Sequence, residues 1–85
     1  MASYSLFMKP SAAKELESLP AKPRQKIARK IQALAGDPRP HGSEKLSGEH
    51  QYRIRHGDYR IVYGIQDKAM SVVVIRIAHR RDVYR

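Results

Sequence analysis

Five arginines share one parity in the last third of this chain. They fall within Tyr52-Arg53-Ile54-Arg55, Asp58-Tyr59-Arg60-Ile61-Val62-Tyr63 and Val72-Val73-Val74-Ile75-Arg76-Ile77-Ala78-His79-Arg80-Arg81, and the chain closes on Asp82-Val83-Tyr84-Arg85. Successive side chains of a strand point to opposite faces. Counted this way, Tyr52, Ile54, Tyr59, Ile61, Tyr63, Ile65, Val73, Ile75 and Ile77 form an apolar face. Arg53, Arg55, Arg60, Arg76 and Arg80 gather on the other, with Val62, Gly64, Val72, Val74 and Ala78. Like charges so close repel one another, and residues 51–85 hold only Asp58, Asp67 and Asp82 to offset them. Guanidinium forks match phosphate oxygens two at a time, so this face suits a phosphate backbone. Tyr84 sits among Arg80, Arg81 and Arg85, where a ring can stack on a base or bond a phosphate. His56 and His79 are the titratable groups nearby that could move a proton. By parity His79 continues the apolar face, and Asp58 is expected to pair with a neighbouring arginine.

The whole chain is biased the same way. Seventeen Lys and Arg against eight Asp and Glu give a formal net charge of +9 and a pI near 10.3 over 85 residues. A surface so basic predicts a polyanionic partner, most simply nucleic acid or the ribosome, and also suits an acidic protein that masks the charge. Eighty-five residues make one domain, spanning 1–85, with no room for two cores. Without cysteine there is neither a disulfide framework nor a thiolate metal site; no metal and no cofactor are expected. The first ten residues lack a basic leader followed by a long apolar run. The longest apolar run, Val72 to Ile75, is far too short to span a bilayer. A cytoplasmic protein without a membrane partner is the expectation.

The elements that position these residues can be read in order. Tyr4 to Met8 is a first strand. Pro10-Ser11 opens a helix that Ser11 can cap and that Pro20 ends. A second helix runs from near Pro23 to about Ala35, with Ile27, Ile31 and Leu34 on one face. Lys22, Arg24, Lys26, Arg29 and Lys30 take most of the rest, a surface able to contact ribosomal RNA. Gly36 is placed to cap it, and Pro38 confirms the stop. Residues 37–50 read as a loop with a short turn near Lys45-Leu46. Three antiparallel strands follow, joined at His56-Gly57-Asp58 and at Gln66-Asp67-Lys68-Ala69. The predicted fold is α+β: an N-terminal strand, a two-helix hairpin, then a three-stranded meander, with the helices on one sheet face.

The segments Lys45-Leu46-Ser47-Gly48, Tyr52-Arg53-Ile54-Arg55, Gly57-Asp58-Tyr59-Arg60-Ile61-Val62-Tyr63 and Ile77-Ala78-His79-Arg80-Arg81-Asp82-Val83-Tyr84 together resemble the RelE branch of the RelE/ParE toxin superfamily. With the upstream strand and helices, the resemblance covers nearly the whole chain. It implies a type II toxin neutralised by a cognate antitoxin in a higher-order complex. RelE-like members cleave mRNA in the ribosomal A site; ParE-like members of the same fold inhibit DNA gyrase without chemistry. For the RelE branch the ribose 2′-OH attacks the adjacent phosphorus, leaving a cyclic phosphate and a 5′-OH. The protein supplies a base, charge for the phosphorane and an acid, without a metal. Arg60 matches the arginine that holds the scissile phosphate, Arg80 the basic position for charge stabilisation or acid catalysis, and Tyr84 the aromatic that orients the nucleotide. Arg53, Arg55, Arg76, Arg81 and Lys45 complete the set expected to hold RNA phosphates. Arg53 and Arg55 stand where the best-known members carry lysines, and arginine does not deprotonate. Either another group takes the 2′-OH proton, with His79 and His56 the titratable candidates, or the ribosome and substrate help. An RNA-binding module without chemistry is a further reading of the same face.

Overall fold

A computed structural model describes residues 3–47 and 50–79. The elements are β1 (Ser5–Met8), α1 (Pro10–Glu17), α2 (Ala21–Ala33), β2 (Glu44–Lys45), β3 (Gln51–His56), β4 (Tyr59–Gln66) and β5 (Ser71–His79). They form a five-stranded sheet in the order β1-β5-β4-β3-β2. The β3-β4-β5 meander is antiparallel, and β1 joins it parallel to β5 along Ser5–Met8. This is the α+β architecture that the patterning predicts.

Both helices start at proline-bearing first turns, where a missing N–H removes no bond. Pro10 itself is the first residue of α1, and Lys9 precedes it without a side-chain cap, so Ser11 lies inside the helix. Helix α2 ends earlier than predicted, at Ala33; Leu34 is still right-handed, and the Gly36 N–H reaches the Ala33 carbonyl at 3.2 Å. The apolar stripe is as expected: Ile27, Ile31 and Leu34 are buried with Ala12 against Ile54, Ile61, Tyr63, Ile65, Val72, Val74 and Ile77. Strands β3 and β4 meet in a two-residue turn with Gly57 at φ 57°, the left-handed position that favours glycine in tight hairpins. Residues 44–45 are not a turn but a two-residue strand, with Glu44 opposite Arg53 and Lys45 opposite Tyr52.

Strand β5 departs from simple alternation. Val72 and Val74 are fully buried, whereas Val73 and Ile75 are only half-buried, the reverse of the parity prediction. The register explains it: Tyr63 lies opposite Val74 and Val62 opposite Arg76, so Ile75 is an extra residue in a bulge. A bulge shifts the phase of the strand by one. Val72 and Val74 therefore face the helices before it and Ile77 after it. Arg76 still lands opposite the helices, as predicted.

Candidate nucleic-acid interface

On the face away from the helices, the β3-β4-β5 register sets the arginines in two rows. One row runs Arg55, Arg60, Ala78; the next runs Arg53, Val62, Arg76. Directly opposed residues bring their Cβ atoms to ~4.5–5.5 Å, so four guanidinium stems surround Val62 and Ala78.

Carboxylates from outside the meander neutralise two of them. Glu44 of β2 pairs with Arg53. Glu15 of α1 lies 3.8 Å from Arg76 Nε through Oε2, while its Oε1 accepts the Ile77 N–H at 2.8 Å. Glu15 does this because β1 pairs with β5 only up to Val74, leaving the backbone edge beyond it to α1. Arg55 and Arg60 make no side-chain hydrogen bond or ion pair among the described residues. Two guanidinium groups ~6 Å apart repel by roughly 1–3 kcal/mol between aqueous and surface-like screening. An anion's oxygens would relieve that cost, and the four-arginine face offers donors for several at once.

The loop beneath the sheet is held by a separate polar clasp. The Tyr63 hydroxyl, fully buried, donates to the Pro38 carbonyl at 2.7 Å, and burial pushes its pKa up to about 12. Arg39 grips Asp67 through two bonds of 2.8 and 3.2 Å and donates through Nε to the Tyr52 hydroxyl at 3.1 Å. Tyr4 donates to the same Asp67 at 2.8 Å. The Arg39 fork and then the Tyr4 bond hold the Asp67 carboxyl below the usual range, and the Tyr4 phenol is raised by that same bond. This arginine is structural: it ties the loop to the β4–β5 turn.

The remaining expected site residues divide by face. His79 lies opposite Tyr59 with its ring 5.1 Å away at 84°, on the helix side with Ile77. His56 lies opposite Tyr59 on that side too, and Lys45, opposite Tyr52, is exposed there at the far edge. Asp58 sits exposed in the hairpin turn and forms no ion pair with an arginine among the described residues. Arg80, Arg81 and Tyr84 lie outside the described residues. The basic residues of α2, Lys22, Arg24, Lys26, Arg29 and Lys30, are all exposed. Glu15, Glu44 and Arg39 were not legible as partners, because the arginines or carboxylates they meet lie 61, 9 and 28 residues away. Among the described residues, no cluster of three or more His, Cys, Asp or Glu stands ready for a metal, and no helix is long and apolar enough to cross a membrane.

Comparison with known proteins agrees with this architecture. Residues 6–84 match the model of the ParE toxin of type II toxin–antitoxin systems. Toxin RelG of Mycobacterium tuberculosis is 44% identical over 34 residues, a match covering 40% of this chain and 39% of that protein. The toxin–antitoxin complex RelBE2 of M. tuberculosis contains a chain of the same fold, with TM-score 0.80 and 26% identity, covering 93% of this chain and 100% of that one. The isolated E. coli RelE toxin aligns with TM-score 0.81 and 27% identity over 95% and 90% of the two chains. The fold and the arginine-bearing meander thus define a toxin of the RelE/ParE class. The chain belongs to the ParE toxin family of type II toxin–antitoxin systems.

Proposed function

We propose that this toxin is a metal-independent endoribonuclease that cuts mRNA, in the ribosomal A site, and so arrests translation. The observation that carries the reading is the direct opposition of Arg55 and Arg60 on the helix-free face, without a carboxylate for either among the described residues. Such a pair is costly alone and stabilising around a phosphate. In the reaction the 2′-oxygen bonds to phosphorus as the bond to the 5′-oxygen breaks. One proton leaves the 2′-OH and another is delivered to the departing oxygen. Arg60 and Arg55 clamp the scissile phosphate, with Arg53 and Arg76 behind them and Arg81 and Lys45 on flanking phosphates. Arg80 stabilises the phosphorane or protonates the leaving oxygen, and Tyr84 orients the nucleotide. His79 accepts the 2′-OH proton; as it faces Tyr59, the ribose must pass over the end of β5 to reach it. The exposed cations of α2 contact ribosomal RNA, giving a salt-sensitive association. A cognate antitoxin, in a higher-order complex in the cytoplasm, neutralises the toxin, in keeping with the toxin–antitoxin assembly of its M. tuberculosis neighbour.

Purified protein added to a cell-free translation reaction should stop synthesis and leave cut mRNA, mapped by primer extension. Arrest with intact mRNA overturns the reading. The match to a ParE model favours one rival: a toxin that binds DNA gyrase without chemistry. A supercoiling assay with pure protein separates the two.

A further inference from the structure

The outer edge of β3 carries a site that the arginine face does not include. Strand β2 covers β3 only opposite Tyr52 and Arg53, leaving the edge beside Ile54 and Arg55 open. A cleft of about 320 Å³ lies there, lined by Lys30 and Ala33 of α2, by Pro40, His41 and Gly42 of the loop, and by Ile54 and Arg55. Buried Ile54, with Ala33 and half-buried Pro40, makes its wall apolar. Lys30 and His41 bring two basic side chains from separate elements, Arg55 adds its backbone at the rim, and among the described residues no carboxylate lines it. Lys30 Nζ donates to the Arg55 carbonyl at 2.9 Å. An ammonium has three donors, so two stay available at the rim. Gly42, at φ 93°, makes the turn that sets the loop around the cleft.

We propose that this cleft is a nucleobase subsite for single-stranded RNA, with Lys30 holding the phosphate next to the one that Arg55 and Arg60 clamp. The proposal rests on the ribonuclease reading and names where that substrate leaves the sheet. Neighbouring strands lie ~4.8 Å apart, so a backbone held by Arg60 and then by Arg55 runs off the sheet at β3. The cleft is the next surface it meets. Its volume sits at the low end of the ~300–1,000 Å³ of small-molecule sites. That suits one splayed base with its ribose and not a helical segment. Unstacked RNA bases lodge against apolar and aromatic side chains while positive groups hold their phosphates, and this cleft offers both.

Ala33→Leu tests it, because leucine fills the cleft from α2 without changing charge and is a good helix former at an exposed position. The probe is a fluorescein-labelled ten-nucleotide RNA carrying 2′-methoxy groups, so that it binds without being cut, read by fluorescence anisotropy. Ala33→Leu should weaken binding about tenfold, within the ~5–150-fold that one stacked base contributes. Replacing one base of the probe by an abasic ribose should weaken the wild type by a similar factor and the variant hardly at all. Binding by Ala33→Leu equal to wild type overturns the subsite. Arg60→Ala is the control for the parent reading. If it loses RNA while Ala33→Leu does not, the subsite falls and the nuclease reading stands; if Arg60→Ala binds normally while Ala33→Leu does not, the reverse holds. A wild type that does not bind the probe overturns both. If Ala33→Leu keeps RNA but captures the antitoxin more weakly, the cleft is a protein-docking surface and the proposal fails. Should Ala33→Leu melt early, Lys30→Gln reads the same question, with a several-fold loss and a salt slope reduced by about one expected; no change overturns the subsite.

Discussion

Removing the carboxylate of Glu15 should loosen the arginine-bearing end of β5 in a graded way. Glu15 Oε1 accepts the Ile77 N–H at 2.8 Å, and Ile77 is 3% exposed. A bond to a charged acceptor contributes ~1.5–3 kcal/mol, a neutral one ~0.5–1.5, and an orphaned buried donor costs ~1–3. The contact to Arg76, at 3.8 Å with side chains 53% and 35% exposed, adds ~0–1 kcal/mol as a solvent-screened pair. Glu15→Gln keeps the acceptor and loses the charge, so it should cost about 1 kcal/mol. Glu15→Ala loses both and should cost about 2 kcal/mol, despite alanine's slightly better helix propensity. In a domain this small each kcal/mol moves Tm by ~4–8 °C. The order wild type, Gln, Ala should therefore separate cleanly in thermal melts followed by circular dichroism, and in urea titrations with an unchanged slope. Equal midpoints for Gln and Ala, or an Ala variant matching wild type, would refute the edge-bond argument.

Other consequences can be checked together. Arg60→Ala should lower mRNA cleavage by ~10²–10³ while leaving the fold as stable or slightly more so, since a like-charge neighbour of Arg55 is removed; activity assays and urea melts together decide it, and an unfolded variant would contradict the placement. The Tyr63 hydroxyl is raised to about 12, so the unfolded chain ionises first as pH climbs past ~10. Stability should fall by up to ~1.4 kcal/mol per pH unit between the two values, and Tyr63→Phe should lack this alkaline loss while paying ~1–2 kcal/mol at neutral pH for the orphaned Pro38 carbonyl. The Asp67 carboxyl is lowered on folding. Its contribution should hold above the ordinary carboxylate range and vanish as pH falls through the lowered value, a dependence that Asp67→Asn should not show in acid titrations.

Local pattern carried most of the fold. Both helices, the meander and its two turns were legible because each depends on residues a few positions apart. The faces of β3 and β4 were legible because Arg53 and Arg55 flank Ile54, and Tyr59, Ile61, Tyr63 and Ile65 recur at every second position around Arg60. Strand β5 was not, because Val72-Val73-Val74-Ile75 is apolar at every position and carries no mark of parity. Neither glycine nor proline signals the bulge at Ile75; it follows from pairing with β4, a tertiary fact. The site shows the same boundary. The convergence of Arg53, Arg55, Arg60 and Arg76 could be counted from the sequence, but their neutralisation could not. Glu44 comes from a strand too short to read, and Glu15 from a helix whose docking no local rule specifies.

The bulge at Ile75 makes β5 two half-strands whose protection from solvent differs. The half before it is hydrogen-bonded on both sides, to β1 and to β4. The half after it, which carries Arg76, pairs with β4 on one side, with Glu15 at the Ile77 N–H on the other. Amide hydrogen exchange should divide at Ile75, because local opening is cheapest where the edge has fewest bonds. An anion bridging Arg60 and Arg76 would clamp the looser half to β4 and slow its exchange, while the amides of Val72 and Val74 kept their rates. The mobility of the arginine-bearing end of β5 is thus set by a one-residue insertion at the middle of a single strand.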